Sequence, residues 1–212
     1  MKQSNMHDLT IIGAGINSFY QLTVEACDII SSGRMVYFTS MDNAGIAFLK
    51  NLNPNIQPSD FEEYQLGSFR PDMYERMADK VIDEATKAPG VVFLEKGSAL
   101  VCNRVTQFVI QKSHEQGLSL KIIPGVSSIE TLLTATGCDP GESGMQIFLA
   151  QNLILQHKKL DPSCAVIIMQ PGYYDTKWYV GNPYSLENRF DALKEYLLDF
   201  YPPLTEIALV KT

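Results

Sequence analysis

Apolar and polar positions along the chain form alternating blocks that predict strands and helices in turn. Short apolar runs predict strands at 9–15, 34–40, 90–97 and 118–125, and the continuous apolar start of 90–97 is expected of a parallel strand covered on both faces. Segments with helical spacing of apolar residues lie between them, at 17–33, 43–52, 70–88 and 105–117. The Pro- and Asn-rich stretch 53–68 predicts a loop. Strands that alternate with helices in this way indicate an α/β unit with a mainly parallel sheet.

The pattern changes after the second Pro-Gly pair of the segment "KIIPGVSSIETLLTATGCDPGESG". Beyond it, the sequence predicts strands at 145–154, 164–172 and 205–212 and a helix at 185–201. We therefore predict an α/β protein of two α/β lobes around a central cleft, which together form one functional unit. Residues 1–136 form the N-terminal lobe with its mainly parallel sheet, and residues 137–212 form a shorter lobe with a mixed sheet.

Composition and charge exclude several classes of function. The 212 residues carry a net charge of −7, which argues against nucleic acid as a partner because phosphate contacts need clustered Lys and Arg. No run of about 18 apolar residues suggests a membrane span, and "MKQSNMHD" is too polar for a signal peptide. The four cysteines are scattered without metal-ligand spacing, which favours buried thiols and no metal site. These features predict a cytoplasmic protein.

The glycine-rich segment "GAGIN" follows the first predicted strand, where a dinucleotide-binding loop would lie. Ser18 stands where that motif has its third glycine, and Asp42 is a weak candidate for the acidic ribose ligand. A glycine-rich turn that only allows close packing of strand and helix is at least as good an interpretation. The histidines His7, His114 and His157 lie far apart in polar surroundings, which predicts surface residues and no catalytic base.

Two further groups of residues allow both a structural and a functional interpretation. Ser127 and Ser128 follow a Pro-Gly turn, where they can bond a ligand or cap the helix that begins near residue 129. Tyr64, Arg70 and Tyr74 lie where a loop becomes a helix. Arg70 and Tyr74 share a helix face if the helix has begun by Arg70. On spacing alone, a packing pair and a catalytic pair both remain open.

The ordered segments "LTIIGAG", "LEKGSALVCN", "IIPGVSSIE" and "GCDPGESG" resemble the tetrapyrrole-methylase-like, or class III, S-adenosylmethionine methyltransferases. The resemblance is greatest to the borosin branch, which methylates backbone amides of a peptide. The features that support this branch are "LNPN", the Tyr-x5-Arg-x3-Tyr pattern and "GCDPGESG". The resemblance implies that S-adenosylmethionine lies folded in a cleft between two α/β lobes.

The resemblance also implies roles for particular residues. It assigns cofactor binding to the loops and strand ends that contain Gly13, Gly15, Gly97, Ser98, Ala99, Val101, Ser127, Ser128, Met145 and Gln170. It assigns catalysis to Tyr64, Arg70 and Tyr74, with one tyrosine as proton acceptor and Arg70 as electrostatic stabiliser. The chain departs from the family at Gly97-Ser98-Ala99, where the family has Gly-Asp-Pro or Gly-His-Pro.

Partners follow from the same resemblance. Because no appended substrate segment is visible, we expect a peptide supplied by another chain. In the borosin branch the region equivalent to 54–69 is clasped by a second subunit, which predicts a homodimer or a heteromer with an equivalent chain. Two alternatives remain: a degenerate methyltransferase fold that only binds a partner, and a methyltransferase acting on a tetrapyrrole or another small molecule. The short C-terminus and the "GSA" loop favour the first alternative.

Overall fold

The computed structural model describes residues 6–59, 65–173, 178–179 and 190–211. The chain divides into two compact units, Met1–Glu130 and Thr131–Thr212, which we call unit 1 and unit 2. The division falls within one helix, Ser128–Thr136, shortly before the predicted boundary at residue 137.

Unit 1 is built around a five-stranded parallel sheet, which confirms the predicted α/β fold. Its strands, in the spatial order β3-β2-β4-β1-β5, are β1 Leu9–Gly13, β2 Met35–Phe38, β3 Ile56–Pro58, β4 Val91–Glu95 and β5 Leu120–Ile123. Its helices are α1 Val24–Ser32, α2 Asn43–Leu52, α3 Arg70–Ala85 and α4 Arg104–Glu115, and a short 3-10 helix covers Ser18–Gln21. Helix α5, Ser128–Thr136, begins in unit 1 and continues into unit 2.

Both faces of the central strands are buried by helices. Because successive side chains of a strand point to opposite faces, the same strands contribute to two separate cores. Ile11 and Phe93 belong to the core that α3 and α4 cover, together with Met77 and Val109. The opposite face forms a second core with α1 and α2, made of Ile12, Ala26, Ile30, Val36, Phe38, Leu49, Val92 and Leu94. Every residue of β1 and β4 is buried, as expected for parallel strands covered on both sides.

The stretch 53–68, predicted as a loop, contains the edge strand β3. Ile56 pairs with Val36 of β2 in parallel register. The strand was missed because it has only three residues and contains Pro58, which a sheet tolerates at an edge where its missing N–H is not needed. Asn53 fixes the start of this segment: its buried Nδ2 donates to the carbonyl oxygens of Ile30 at 2.8 Å and of Gly33 at 2.7 Å.

Unit 2 contains a two-stranded sheet and a smaller core. Its elements are α6 Pro140–Ser143, β6 Met145–Leu149, α7 Ala150–Leu155, β7 Ala165–Met169, a 3-10 helix Pro171–Tyr173 and α8 Asp191–Leu198. The core consists of Ala150, Leu153, Leu160 and Leu193. No residue of β6 or β7 is fully buried.

Three predictions for unit 2 need correction within the described ranges. The sheet was predicted as mixed, but β6 and β7 pair in parallel. The run 145–154 is a strand only as far as Leu149 and then becomes α7, since a continuous apolar run does not distinguish strand from buried helix. Residues 205–211 are not a strand, because no described strand pairs with them. The first part of the predicted helix 185–201 lies outside the described residues, and α8 forms its second part.

Across the described ranges, no helix is both long enough and apolar enough to cross a membrane.

Candidate active site

The loops that follow β1, β4 and β5 meet at the carboxyl edge of the unit 1 sheet. A Cβ atom built on Gly13 would lie 2.7 Å from the carbonyl oxygen of Gly97 and 2.7 Å from the amide nitrogen of Gly125. A Cβ atom on Gly125 would lie 2.2 Å from the carbonyl oxygen of Gly13. Only glycine allows the backbones to approach this closely. The three glycine-containing loops singled out in the sequence are therefore brought together.

A pair of backbone hydrogen bonds locks the first two of these loops. The amide of Gly15 donates to the carbonyl of Gly97 at 3.1 Å, and the amide of Gly97 donates to the carbonyl of Gly15 at 2.8 Å. Both residues have positive φ, +81° and +75°, which glycine adopts without strain. Their amides are occupied by this bridge, so these glycines hold the loops in place.

The loop after β4 carries the segment that departs from the family pattern. The amide of Val101 donates to the carbonyl of Ser98 at 3.2 Å, which closes a turn without the family's proline. Ala99 is only 1% exposed and packs in the core. Ser98 is half-buried, and its hydroxyl makes no hydrogen bond to any residue the structure describes. Within this loop, Ser98 and Val101 are the half-buried residues that can face a ligand.

The two serines after β5 have different roles. The hydroxyl of Ser127 accepts from the amide of Ile129 at 3.1 Å, while the carboxylate of Glu130 accepts from the amide of Ser127 at 3.0 Å. This reciprocal pair is a capping box, which stabilises the start of α5. Ser127 is 6% exposed and serves the helix. Ser128 is half-buried, and its hydroxyl is not hydrogen-bonded within the described part of the chain, so it is available to a ligand.

Of the three predicted catalytic residues, Arg70 and Tyr74 lie in the first turns of α3. The helix begins at Arg70, so Arg70 and Tyr74 are four residues apart within it and share a face. Both side chains are half-buried, and Tyr74 packs against the core that α3 and α4 cover. Tyr64 lies outside the described residues.

The two candidate residues of unit 2 do not lie at the same edge of its sheet. Met145 begins β6, opposite Ala165 at the start of the parallel strand β7, whereas Gln170 follows the end of β7. Five residues of extended strand separate these two edges by about 17 Å. The strand end that shares an edge with Gln170 is Leu149, which the sequence analysis missed because it extended β6 to residue 154.

Several loop residues at strand ends adopt a strained backbone. Ser18, Ser40 and Cys102 follow β1, β2 and β4 with φ of 47°, 45° and 54°, and Gln170 follows β7 with φ of 53°. Such conformations cost residues other than glycine about 1–3 kcal/mol each and concentrate at functional sites. Side-chain pattern alone does not predict them.

Asp42, the candidate ribose ligand of the dinucleotide interpretation, instead caps α2. Its Oδ1 accepts from the amide of Gly45 at 2.7 Å and from the hydroxyl of Ser18 at 2.9 Å. These hydrogen bonds hold the pKa of the Asp42 carboxyl below its usual value. The structure therefore favours the interpretation of "GAGIN" as a turn for close packing, with Asp42 acting as the cap of α2.

The other candidate side chains give no catalytic cluster. His114 and His157 are exposed, as predicted for surface residues, and His7 is half-buried. The prediction of buried thiols is wrong: Cys102 is exposed, and Cys27, Cys138 and Cys164 are half-buried. Within the described ranges, no group of three or more His, Cys, Asp or Glu residues could hold a metal ion.

The comparison to known proteins agrees with the fold. The family model of the tetrapyrrole (corrin/porphyrin) methylases matches residues 8–212. The chain belongs to this family, which consists of methyltransferases that use S-adenosylmethionine. The family resemblance seen in the sequence is thus confirmed.

Among curated proteins, the relatives include fungal borosin proteins. The chain is 30% identical over 195 residues to a methyltransferase/ribosomally synthesized type III borosin cyclic peptide precursor of Anomoporia bombycina, covering 92% of this chain and 22% of the relative. It is 26% identical over 170 residues to the gymnopeptide precursor protein of Gymnopus fusipes, covering 80% of this chain and 40% of the relative. The chain thus spans less than half the length of these relatives.

Solved structures support the fold. The uroporphyrin-III-C-methyltransferase of Thermus thermophilus superimposes with a TM-score of 0.60 at 18% identity, over 92% of this chain and 72% of that chain. A putative cobalamin-synthesis-related protein of Corynebacterium diphtheriae gives a TM-score of 0.53 at 16% identity, over 77% of this chain and 71% of that chain. At these identities the similarity concerns the fold alone.

Proposed function

We propose that this chain transfers methyl groups from S-adenosylmethionine to backbone amide nitrogens of a peptide. The observation that carries the proposal is that α3 begins at Arg70 and has Tyr74 one turn later on the same face. Arg70 and Tyr74 match the catalytic positions of the borosin branch. The described curated relatives combine, by their names, a methyltransferase and a cyclic peptide precursor.

The loops of unit 1 fit the proposed cofactor. S-adenosylmethionine supplies an electrophilic methyl group on a sulfonium when it is bound. The half-buried Ser98 and Ser128 follow β4 and β5, respectively. Neither hydroxyl is hydrogen-bonded to a residue that the structure describes, so both can bond the cofactor. The Gly13, Gly15 and Gly97 junction holds these loops at one sheet edge, where open α/β sheets bind ligands. Met145 and Gln170 stay proposed cofactor-binding residues, as the family resemblance implies.

The catalytic roles follow from the chemistry of an amide. A peptide nitrogen is a poor nucleophile until its proton is removed and the negative charge on the neighbouring oxygen is stabilised. Tyr74, or Tyr64, accepts the proton, and a nearby guanidinium favours a phenolate by charge. Arg70 stabilises the imidate-like oxygen. The remaining requirement is the alignment of nitrogen, methyl and sulfur, which is a matter of positioning.

The proposed partners are the substrate peptide and a second copy of the chain. We propose a peptide supplied as a separate molecule, which is tested by adding synthetic peptides to the isolated chain. The homodimer proposal rests on the borosin resemblance around 54–69. Light scattering at micromolar concentration tests it, and a strictly monomeric species would contradict it.

Replacing Tyr74 and Arg70 tests the reaction. Tyr74→Phe keeps the ring and removes the hydroxyl, so we expect methylation to slow by about 100- to 10,000-fold while cofactor affinity stays unchanged. Arg70→Lys keeps the positive charge but loses the planar guanidinium. Its methylation rate should therefore lie between those of the wild type and Arg70→Ala. Methylation is followed by mass spectrometry over a pool of synthetic peptides, and cofactor binding by calorimetry.

Matched controls separate chemistry from folding. Tyr201→Phe changes another half-buried tyrosine, and Arg76→Lys changes an exposed arginine of the same helix α3. Both should methylate at the wild-type rate. If Tyr74→Phe also does so, the pair is structural and the proposed chemistry is wrong. A wild-type chain that binds the cofactor but methylates no peptide in the pool would favour the partner-binding alternative.

A further inference from the structure

A small pocket of mixed polar and apolar lining opens at the carboxyl edge of the unit 1 sheet, beside the loops after β1 and β2. Its volume is about 100 Å³. The residues that line it are Ala14, Gly15, Ile16, Ser18, Thr39, Ser40, Met41, Asp42 and Lys96. None of these residues except Gly15 has a role in the proposed cofactor site or in the methyl transfer.

The pocket presents one cation and one anion. Lys96 is exposed, and its ammonium makes no hydrogen bond or ion pair with any described residue. Oδ1 of the exposed Asp42 accepts from the amide of Gly45 and the hydroxyl of Ser18, and the amide of Ala44 and the charge of Lys96 also act on this carboxylate. Hydrogen bonding lowers the pKa of the Asp42 carboxyl, so it is ionised at neutral pH. A pure donor and a pure acceptor thus face one small space.

The surroundings keep this pair in place. Thr39 is 5% exposed, and its hydroxyl donates to Oε2 of Glu95, which is 4% exposed, at 2.6 Å. Asp42 is held because it caps α2, and Lys96 directly follows the last residue of β4. The backbone on either side of the pocket is therefore fixed by buried hydrogen bonds and a helix start.

We propose that this pocket holds an unreacting backbone amide of the substrate peptide, with the Asp42 carboxylate accepting its N–H and Lys96 donating to its carbonyl oxygen. The inference rests on the proposed function, because it takes the peptide as the substrate. It adds a second point of attachment, which fixes the position of the chain relative to the amide that reacts.

The charge pattern selects this ligand. A phosphate or free carboxylate would meet Asp42, and an ammonium would meet Lys96, each at a cost in repulsion. A peptide amide is neutral, and its N–H donor and C=O acceptor point to opposite sides of one planar group, which can satisfy both side chains. A zwitterion would also satisfy both, and the experiment below separates it from an amide.

The pocket lies at the edge of the sheet where α3 begins. In a parallel sheet, the helix between β3 and β4 starts at the carboxyl ends of the strands. Arg70 is the first residue of α3, and Lys96 follows the carboxyl end of β4. As part of the proposal, one peptide extends along this edge from the pocket to the proposed catalytic pair.

Binding is tested by nuclear magnetic resonance on the isotope-labelled full chain, without cofactor. The probe is an uncharged tetrapeptide, acetyl-Gly-Val-Gly-Val-amide. We expect its titration to shift the amide signals of the pocket residues Ala14 to Ser18 and Thr39 to Asp42. Lys96→Met and Asp42→Asn should each weaken this binding by about tenfold, because each removes a charge-assisted hydrogen bond. Asparagine is as good a helix cap as aspartate, so α2 should remain intact.

The controls identify the group that is recognised. Lys50→Met removes an exposed lysine of α2 that does not line the pocket, and it should bind the probe like wild type. The same tetrapeptide with every backbone nitrogen methylated lacks the N–H donors and should bind at least tenfold more weakly. Equal binding of the methylated peptide, tighter binding of the zwitterion glycylglycine, or no shift in the pocket signals would each overturn the proposal. Because no cofactor or turnover is involved, these results stand apart from the methylation test.

Discussion

Units 1 and 2 use similar parallel strands in very different surroundings. β1 and β7 each have five residues, rich in Ile, yet every residue of β1 is buried and every residue of β7 is partly exposed. The sheet of unit 1 has helices on both faces and five strands, whereas the described sheet of unit 2 has two. A parallel sheet is stable when both faces are covered. The comparison indicates that most of the stability, and the most precise loop geometry, resides in unit 1.

The polar contacts differ in the same way. In unit 1, Asp8 accepts from the amide and the hydroxyl of Ser119, which joins segments 111 residues apart. In unit 2, Asp161 makes the same two contacts with Ser163, only two residues away. A distant contact ties two strands together, while a local one can persist in an unfolded chain.

The largest expected loss of stability comes from truncating the central residue of a strand in each unit. Ile11 and Ile167 are the middle residues of β1 and β7. Ile11→Ala should lower the free energy of unfolding by about 2–5 kcal/mol, because the site is fully buried and leaves a cavity. Ile167→Ala should cost about 1 kcal/mol, since surface remains accessible to solvent around it. Urea unfolding of both variants measures the difference. Equal losses would show that the sheet of unit 2 is as well packed as that of unit 1.

Replacing one glycine by alanine in each unit should cause a smaller loss of stability. In Gly125→Ala, the new methyl group would overlap the backbone of Gly13, and backbone cannot move as a side chain can. We expect a loss of about 1–3 kcal/mol in unit 1. Gly141→Ala in unit 2 meets only the Asp139 side chain, at 3.1 Å, and lies in a helix, so it should be close to neutral. The urea midpoints of the two variants would be indistinguishable if the close approach at Gly13 were unimportant.

The smallest expected loss of stability comes from replacing Asp8 or Asp161 by asparagine. Hydrogen bonds from Ser119 and Ser163 lower the pKa of Asp8 and of Asp161, respectively. A lowered pKa stabilises the fold above the unfolded value of about 4 and stops doing so as the pH falls through the folded value. Asp8→Asn should therefore lower the melting temperature at pH 7 and make less difference near pH 3.

Asp161→Asn is the matched variant and should change the melting temperature less at both pH values. Thermal unfolding followed by circular dichroism measures both variants. A larger effect of Asp161→Asn than of Asp8→Asn would contradict the idea that the long-range contact matters more.

Burial on both faces also explains which elements could be predicted from sequence. The strands of unit 1 with continuous apolar runs were predicted nearly to their ends, as were α2 and α4. The edge strand β3 was missed because three residues with a proline give no periodic signal. In unit 2, the apolar run 145–154 did not show where β6 ends and α7 begins, and "TEIALVKT" has a strand pattern without a described partner.

The candidate site was predictable in part for a similar reason. Glycines and Pro-Gly turns mark strand ends, so the meeting of three loops could be anticipated. The capping box of Ser127 and Glu130 has the required spacing in the sequence, and only geometry showed that it forms. The pocket beside Lys96 was not predicted, because Lys96 and Asp42 lie 54 residues apart in sequence and become neighbours only after folding.

Residues 202–211 follow α8, and Leu204, Ile207 and Leu209 there are 94%, 80% and 86% exposed. Such an exposed segment with a strand-like sequence pattern can pair with the same segment of other molecules, which makes it a site for aggregation in concentrated solution. Its accessible backbone also suits proteases, whose active sites bind extended chains. Replacing Leu209 by lysine would place a charge within this segment, improve solubility during purification and leave the loops of unit 1 untouched.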